Sequence, residues 1–221
     1  MRLLELFAGT GSIGKAFRKQ GWEVVSLDLN PKAGATITAD VLEWDYTVFE
    51  PGHFDFVWAS PPCQQYSVAR TTAKTPRNLE LADSIVARAL EITDYFVPTA
   101  WLMENPATGL LKTREVVAGL PWRDVCYCRY SDGERWTYKK QTRLWGDLPP
   151  FEPRPLCHRK DPCPLSVGGT HPDRAQRCNR GNGANHTLDE LYSMPEELCR
   201  DIALAAGEYL QKIKYLCKKI E

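Results

Sequence analysis

The sequence predicts an α/β fold, a mostly parallel sheet flanked by helices, with a small irregular Cys/His-rich insertion. Three observations predict it. Over residues 1–105, short apolar runs alternate with segments of helical periodicity, the pattern of parallel strands joined by crossover helices. Residues 149–185 are rich in Pro, Gly, Cys, His and Arg and show little periodicity. Residues 195–216 then return to an amphipathic helical pattern, as a segment that packs back on the α/β core would. The expected organisation is one unit built from residues 1–148 together with 187–221, interrupted by a small basic region at 149–186.

The elements follow in order. Residues 2–7 read as a first strand, and 12–20 as a helix with Ile13, Ala16 and Phe17 on one face. Residues 23–27 (EVVSL) form a second strand ending at Asp28, and 36–39 a short third strand ending at Asp40. Residues 54–59 (FDFVWA) are the fourth strand, and a long helix over 79–95 follows a polar loop. The fifth strand, 99–103, runs into Glu104-Asn105-Pro106. Residues 122–130 and 137–144 read as two antiparallel strands around Ser131-Asp132-Gly133. Cys126 and Cys128 alternate with Tyr127 there, which makes them core positions.

Composition narrows the function classes. Of 221 residues, 43% are hydrophobic and 25% charged, which excludes a disordered chain. Lys plus Arg equals Asp plus Glu at 28 each, so whole-chain charge points to no polyanionic partner. No apolar run approaches the roughly 18 residues of a membrane span, and the start has no signal-peptide pattern. The expectation is an intracellular protein without a membrane partner. Its eight cysteines then read as thiols, a nucleophile or metal ligands rather than a disulfide framework.

Two segments carry chemistry. Gly9-Thr-Gly11-Ser-Ile-Gly14 follows a strand and opens a helix, with Asp28 ending the next strand. Such a turn lets a nucleotide-like ligand approach backbone N–H groups while the acid accepts ribose hydroxyls, and both NAD and S-adenosylmethionine (SAM) fit. Asp40, at the end of the third strand, would reach an adenine amine. In Ala59-Ser60-Pro61-Pro62-Cys63-Gln64, a rigid Pro-Pro pair stops the strand and presents Cys63 at the carboxyl edge of the sheet. Glu104 ends the neighbouring strand at the same edge. A thiol and a carboxyl facing one pocket suggest covalent catalysis with an acid partner.

Taken together, LLELFAGTGSIG, Asp28, ASPPCQQYS, LMENP and Lys140-Gln141-Thr142-Arg143 resemble the motifs of the cytosine-C5 DNA methyltransferases, in that family's order. The resemblance implies a Rossmann-like SAM-dependent methyltransferase fold acting on DNA. By that resemblance Cys63 adds to C6 of cytosine, Glu104 holds N3 and the exocyclic amine, and Arg143 binds O2 and orients Glu104. SAM would lie over Phe7, Gly9, Gly11, Ile13, Asp28, Leu29, Asp40, Val41 and Pro61. Gln64, Ser67, Arg70, Lys74, Arg77 and Gln141 would contact nucleic acid; the loop over residues 64–79 carries three cations and no acid. Cations near Cys63 are expected to lower its pKa. The sequence departs from the family in three places: Trp145 stands where a second arginine is usual, the family's Gly-Asn-Ser-Val segment is only faintly echoed by Gly183-Ala-Asn185, and only 45 residues separate Trp145 from Leu191. That short region leaves RNA or a single strand open as substrates for the same chemistry. A silent DNA-binding relative and an NAD-dependent oxidoreductase are the other readings; the latter leaves Pro-Pro-Cys-Gln and Glu-Asn-Pro unexplained. An amino-methyltransferase would place an aromatic residue where Cys63 stands.

The short region holds Cys157, His158, Cys163, His171, Cys178 and His186. Cys157, Cys163, His171 and Cys178 are candidate ligands of a structural zinc, although their spacing matches no standard finger. Residues 129–182 carry 11 Lys/Arg against 6 Asp/Glu, a net +5 and the expected nucleic-acid contact.

Overall fold

The computed structural model describes residues 1–173 and 186–219. Seven strands form one sheet in the order β3-β2-β1-β4-β5-β7-β6. β1 (Arg2–Leu6), β2 (Glu23–Asp28), β3 (Ile37–Thr38), β4 (Phe56–Ala59) and β5 (Ala100–Pro106) are parallel. β7 (Gln141–Asp147) slots antiparallel between β5 and β6 (Trp122–Cys126). Both faces are covered, and the alternation of side chains shows it. Leu3, Phe56, Leu102 and Leu144 point to a core shared with α1 (Ser12–Lys19) and α4 (Glu196–Cys217). Leu4, Val57, Met103 and Trp145 point to the other core, under α2 (Leu79–Phe96). Continuous apolar strands such as Phe56–Ala59 are what a doubly covered sheet requires. α2 starts where Asn78 accepts the Leu81 N–H at 3.0 Å, and stops at Val97, whose φ of 45° precedes Pro98. No helix of the described residues is long and apolar enough to cross a membrane.

Two expectations change. The sixth strand ends at Cys126 instead of continuing to residue 130, because Tyr127–Arg129 turn into a single 3-10 turn after the Tyr127 N–H bonds Lys140 O. The seventh strand starts at Gln141 rather than 137, so β6 and β7 are joined by a long excursion and not by a tight turn at Ser131-Asp132-Gly133. A short helix, α3 (Leu188–Tyr192), also precedes α4. Among the described residues of the 149–173 stretch, only isolated bridges (His158 with Asp161, Val167 with Thr170) interrupt irregular chain.

Candidate active site

The carboxyl ends of β1, β2, β4 and β5 open on one cavity of about 360 Å³, within the range of small-molecule sites. β1 ends in a strained turn. Phe7, Gly9 and Gly11 all take positive φ (61°, 51° and 68°), which glycine adopts freely and Phe7 does not. The turn brings the Gly9 N–H to Asp28 Oδ2 at 2.8 Å, while Oδ1 accepts the Asn30 N–H at 2.8 Å. Asp28 is thereby aimed at the cavity mouth. Below it, Glu5 is 2% exposed and accepts the Gly14 N–H at 3.0 Å, and its Oε2 has no partner. Burial pushes the Glu5 pKa up to about 7, opposed by the Gly14 hydrogen bond.

On the far wall, Trp58 donates to Ser60 Oγ at 2.8 Å, and Asn105 Nδ2 donates to Pro61 O at 2.8 Å. The Pro-Pro-Cys segment is thus latched to the end of β5. That latch brings half-buried Cys63 and buried Glu104 to the same cavity. Tyr127 donates to Glu104 Oε1 at 3.3 Å. Desolvation raises the Glu104 pKa, with the Lys140 ammonium opposing it, so burial favours the neutral carboxyl. The Cys63 thiol is raised as well, by burial first and the Glu104 carboxylate second, with Lys140 again the opposing charge. The expected lowering by nearby cations does not occur, because burial outweighs one ammonium.

Of the expected cofactor residues, Phe7, Gly9, Ile13, Asp28, Leu29 and Pro61 line the cavity, as do Cys63, Gln64 and Glu104. Gly11 caps α1 beside it. Asp40 instead turns its Oδ1 to the Leu42 N–H at 3.0 Å, and Val41 is buried in the α2-side core. Arg143 is not at Glu104. It lies opposite Asp124 in the β6–β7 register and bonds it at 2.7 and 3.1 Å, with its guanidinium 3.5 Å from the Trp122 ring. Gln141, two residues earlier on the same side of β7, donates to the same carboxylate at 3.0 Å. Among the described residues, the cation that lines the cavity is Lys140, whose Nζ donates to Leu191 O at 2.9 Å above the Tyr127 ring. Lys140 belongs to the Lys140-Gln141-Thr142-Arg143 motif, and its position just before β7 is the sequence signal for this placement.

The loop after Cys63 is braced from within. Arg77 donates to Gln65 O and Ser67 O at 2.7 and 2.8 Å, and Arg70 to Thr75 Oγ1 at 2.7 Å. Ser67 caps the turn Val68–Thr72, and Lys74 is exposed. Of the eleven cations behind the net +5 of residues 129–182, Arg174, Arg177 and Arg180 lie outside the described residues. Arg129, Arg135, Arg143 and Arg154 each hold carboxylates, leaving Lys139, Arg159 and Lys160 exposed among the described residues. Cys157, Cys163 and His171 come together with Cys128, contrary to the expectation that Cys128 is ordinary core. Cys178 lies outside the described residues.

Comparison with known proteins gives this geometry its relatives. The family model for C-5 cytosine-specific DNA methylase matches residues 1–118. The chain is 42% identical over 176 residues to a Frog virus 3 (isolate Goorha) protein named "Probable DNA (cytosine-5)-methyltransferase", covering 74% of this chain and 78% of that one. It is 26% identical over 128 residues to the type II methyltransferase M.DdeI of Desulfomicrobium norvegicum, covering 52% of this chain and 29% of that one. Two solved structures share the fold at 14% identity and a TM-score of 0.50. One is an E. coli prophage protein described as a DNA modification methyltransferase (71% of this chain, 51% of that one). The other is the Entamoeba histolytica methyltransferase EhMeth (83% and 61%). The chain therefore spans about half to three fifths of the length of those structures, and their likeness speaks for the Rossmann-like fold alone. The family match over more than half of the chain, joined to the relative shared over 78% of its own length, shows that the chain belongs to the C-5 cytosine-specific DNA methylases.

Proposed function

We propose that the chain methylates C5 of cytosine in DNA, with SAM as methyl donor and Cys63 as the nucleophile. The observation that supports this most is that Cys63 and Glu104 share one cavity with the Phe7–Gly9 turn and Asp28. The residues fit the cofactor. Glu5 Oε2, buried and without a partner at the cavity wall, suits the positive charge that SAM carries. Asp28 would accept ribose hydroxyls, and Phe7, Ile13, Leu29 and Pro61 offer an apolar wall, of which Leu29 is 66% exposed. Bound there, SAM supplies an electrophilic methyl group on a sulfonium.

The chain's own residues prepare the base. Cytosine C6 is out of reach in a stacked duplex, so the base must be extruded into the cavity. Cys63 gives its proton to solvent and its Sγ forms a bond to C6, while Glu104, whose protonated form burial favours, gives its proton to N3 as charge develops there. C5 becomes enamine-like and nucleophilic. Once C5 carries the methyl group and has given up its proton to solvent, the Sγ–C6 bond breaks, N3 returns its proton to the Glu104 carboxylate and the ring is restored. Lys140 stabilises both the thiolate and the spent carboxylate. Gln64 lines the cavity and exposed Lys74 would meet the phosphates. The Cys/His-rich region, in this reading, carries a structural zinc ion. The test is trapping on oligonucleotides containing 5-fluorocytosine with SAM present, as duplex DNA, single-stranded DNA and RNA. A covalent adduct on DNA at Cys63 is expected; an adduct on RNA alone would reassign the substrate, and none on any strand would overturn the chemistry.

A further inference from the structure

We infer that Cys128, Cys157, Cys163 and His171 form a closed zinc site that fastens the irregular insertion to the end of β6, beside the catalytic carboxylate. The inference rests on the zinc reading of this region and is independent of the methyl-transfer chemistry.

The ligand atoms of these four residues all lie within 4.8 Å of one another. Cys163 Sγ is 3.1 Å and Cys157 Sγ 3.9 Å from His171 Nε2. A tetrahedral zinc with bonds of about 2.3 Å to sulfur and 2.0–2.1 Å to nitrogen holds its ligand atoms roughly 3.5–4 Å apart, so the group needs only small adjustments. The Cys163 N–H points at Cys157 Sγ at 3.3 Å, a donor suited to a metal-bound thiolate. Local structure builds the set. The bridge between His158 and Asp161 folds the chain so that Cys157 and Cys163 meet, and a second bridge, Val167 with Thr170 around Gly168-Gly169 at positive φ, returns His171 to them. Cys128 arrives from the 3-10 turn after β6.

Packing gives the second reason. Around residues 156–171 the buried cluster consists of the side chains of Cys126, Cys128, Cys157 and Cys163, with Leu156 and Leu165 against it. Two leucines cannot hold a segment without helix or ladder, whereas one structural metal can. Arg129, next to Cys128, bonds Asp161 Oδ2 and the Asp161 carbonyl at 2.6 Å and fixes the same loop to the same turn.

Four protein ligands leave no open position, so the ion is structural and not a Lewis acid. Its effect on the chemistry is mechanical. Tyr127, the residue before Cys128, donates to Glu104 Oε1, so a ligand at Cys128 holds the turn that carries this hydroxyl. Cys126, 3.5 Å from Cys128 Sγ, stays outside the set as a neighbouring thiol.

Metal analysis of the full chain as purified should find about one zinc per chain. X-ray absorption at the zinc edge should give three sulfurs and one nitrogen, a readout that needs no variant. Cobalt(II) exchanged into the site should show thiolate-to-metal charge transfer and a tetrahedral spectrum. Cys128→Ala should lose the ion, while Cys126→Ala and Cys178→Ser keep it and still bind SAM. A folded, SAM-binding chain without metal, its cysteines titrating as free thiols or paired as disulfides, would overturn the site. Zinc retained in Cys128→Ala, or lost in Cys178→Ser, would overturn the ligand assignment alone.

Discussion

Replacing Arg143 by Met should destabilise the protein while leaving the chemistry of the folded molecule nearly intact. The side chains of Arg143 and Asp124 are only 15% and 10% exposed, and they are joined by two charged hydrogen bonds at 2.7 and 3.1 Å. Removing one partner of such a pair costs about 3–5 kcal/mol when the other is left alone. Asp124 keeps the Gln141 amide at 3.0 Å, which favours the lower end. Loss of the guanidinium from the Trp122 ring adds about 0.5–1 kcal/mol. A total near 3–4 kcal/mol corresponds to a fall of roughly 6–16 °C in Tm at this chain length. Thermal unfolding by circular dichroism measures it, and a double-mutant cycle with Asp124→Asn should recover a coupling of about 2 kcal/mol or more. Single-turnover methylation, at a temperature where the variant is folded, should stay within a few fold of wild type. An unchanged Tm with methylation lost by orders of magnitude would refute the reasoning and return Arg143 to the base, as the family resemblance implied.

The other expectations concern the cavity. Cys63→Ala should abolish methylation with SAM binding by calorimetry intact; wild-type turnover in this variant would exclude a covalent mechanism. Alkylation of Cys63 by iodoacetamide, followed by peptide mass, should titrate above the ordinary thiol range. Lys140→Met should push that midpoint higher and Glu104→Gln should lower it, since the first removes the opposing cation and the second a neighbouring negative charge; movement in the reverse directions would show the charges misassigned. Glu5, raised from 4.5 to about 7, contributes stability that is fully present below about pH 4.5 and lost as pH rises through about 7, roughly 3 kcal/mol in all. Denaturant unfolding of the cofactor-free protein across that window should show the loss, and Glu5→Gln should flatten it.

Cys63, Glu104 and Asp28 were legible in the one-dimensional chain because each stands at the end of an apolar run, and parallel strands deliver their ends to one sheet edge. The glycine turn was legible for the same local reason, since its backbone demands lie within a few consecutive residues. What tertiary structure decided depends on partners distant in sequence. The β6–β7 register sets Arg143 against Asp124, and the period of two turns Gln141 to the same carboxylate, leaving Lys140 at the strand's start to face Glu104 and Cys63. Cys128 reads as core while β6 is drawn to residue 130; it joins Cys157, Cys163 and His171 only because the strand breaks after Cys126. Charge counts alone point the Cys63 titration the wrong way. Desolvation is a property of the closed fold, and here it outweighs the cation beside the thiol.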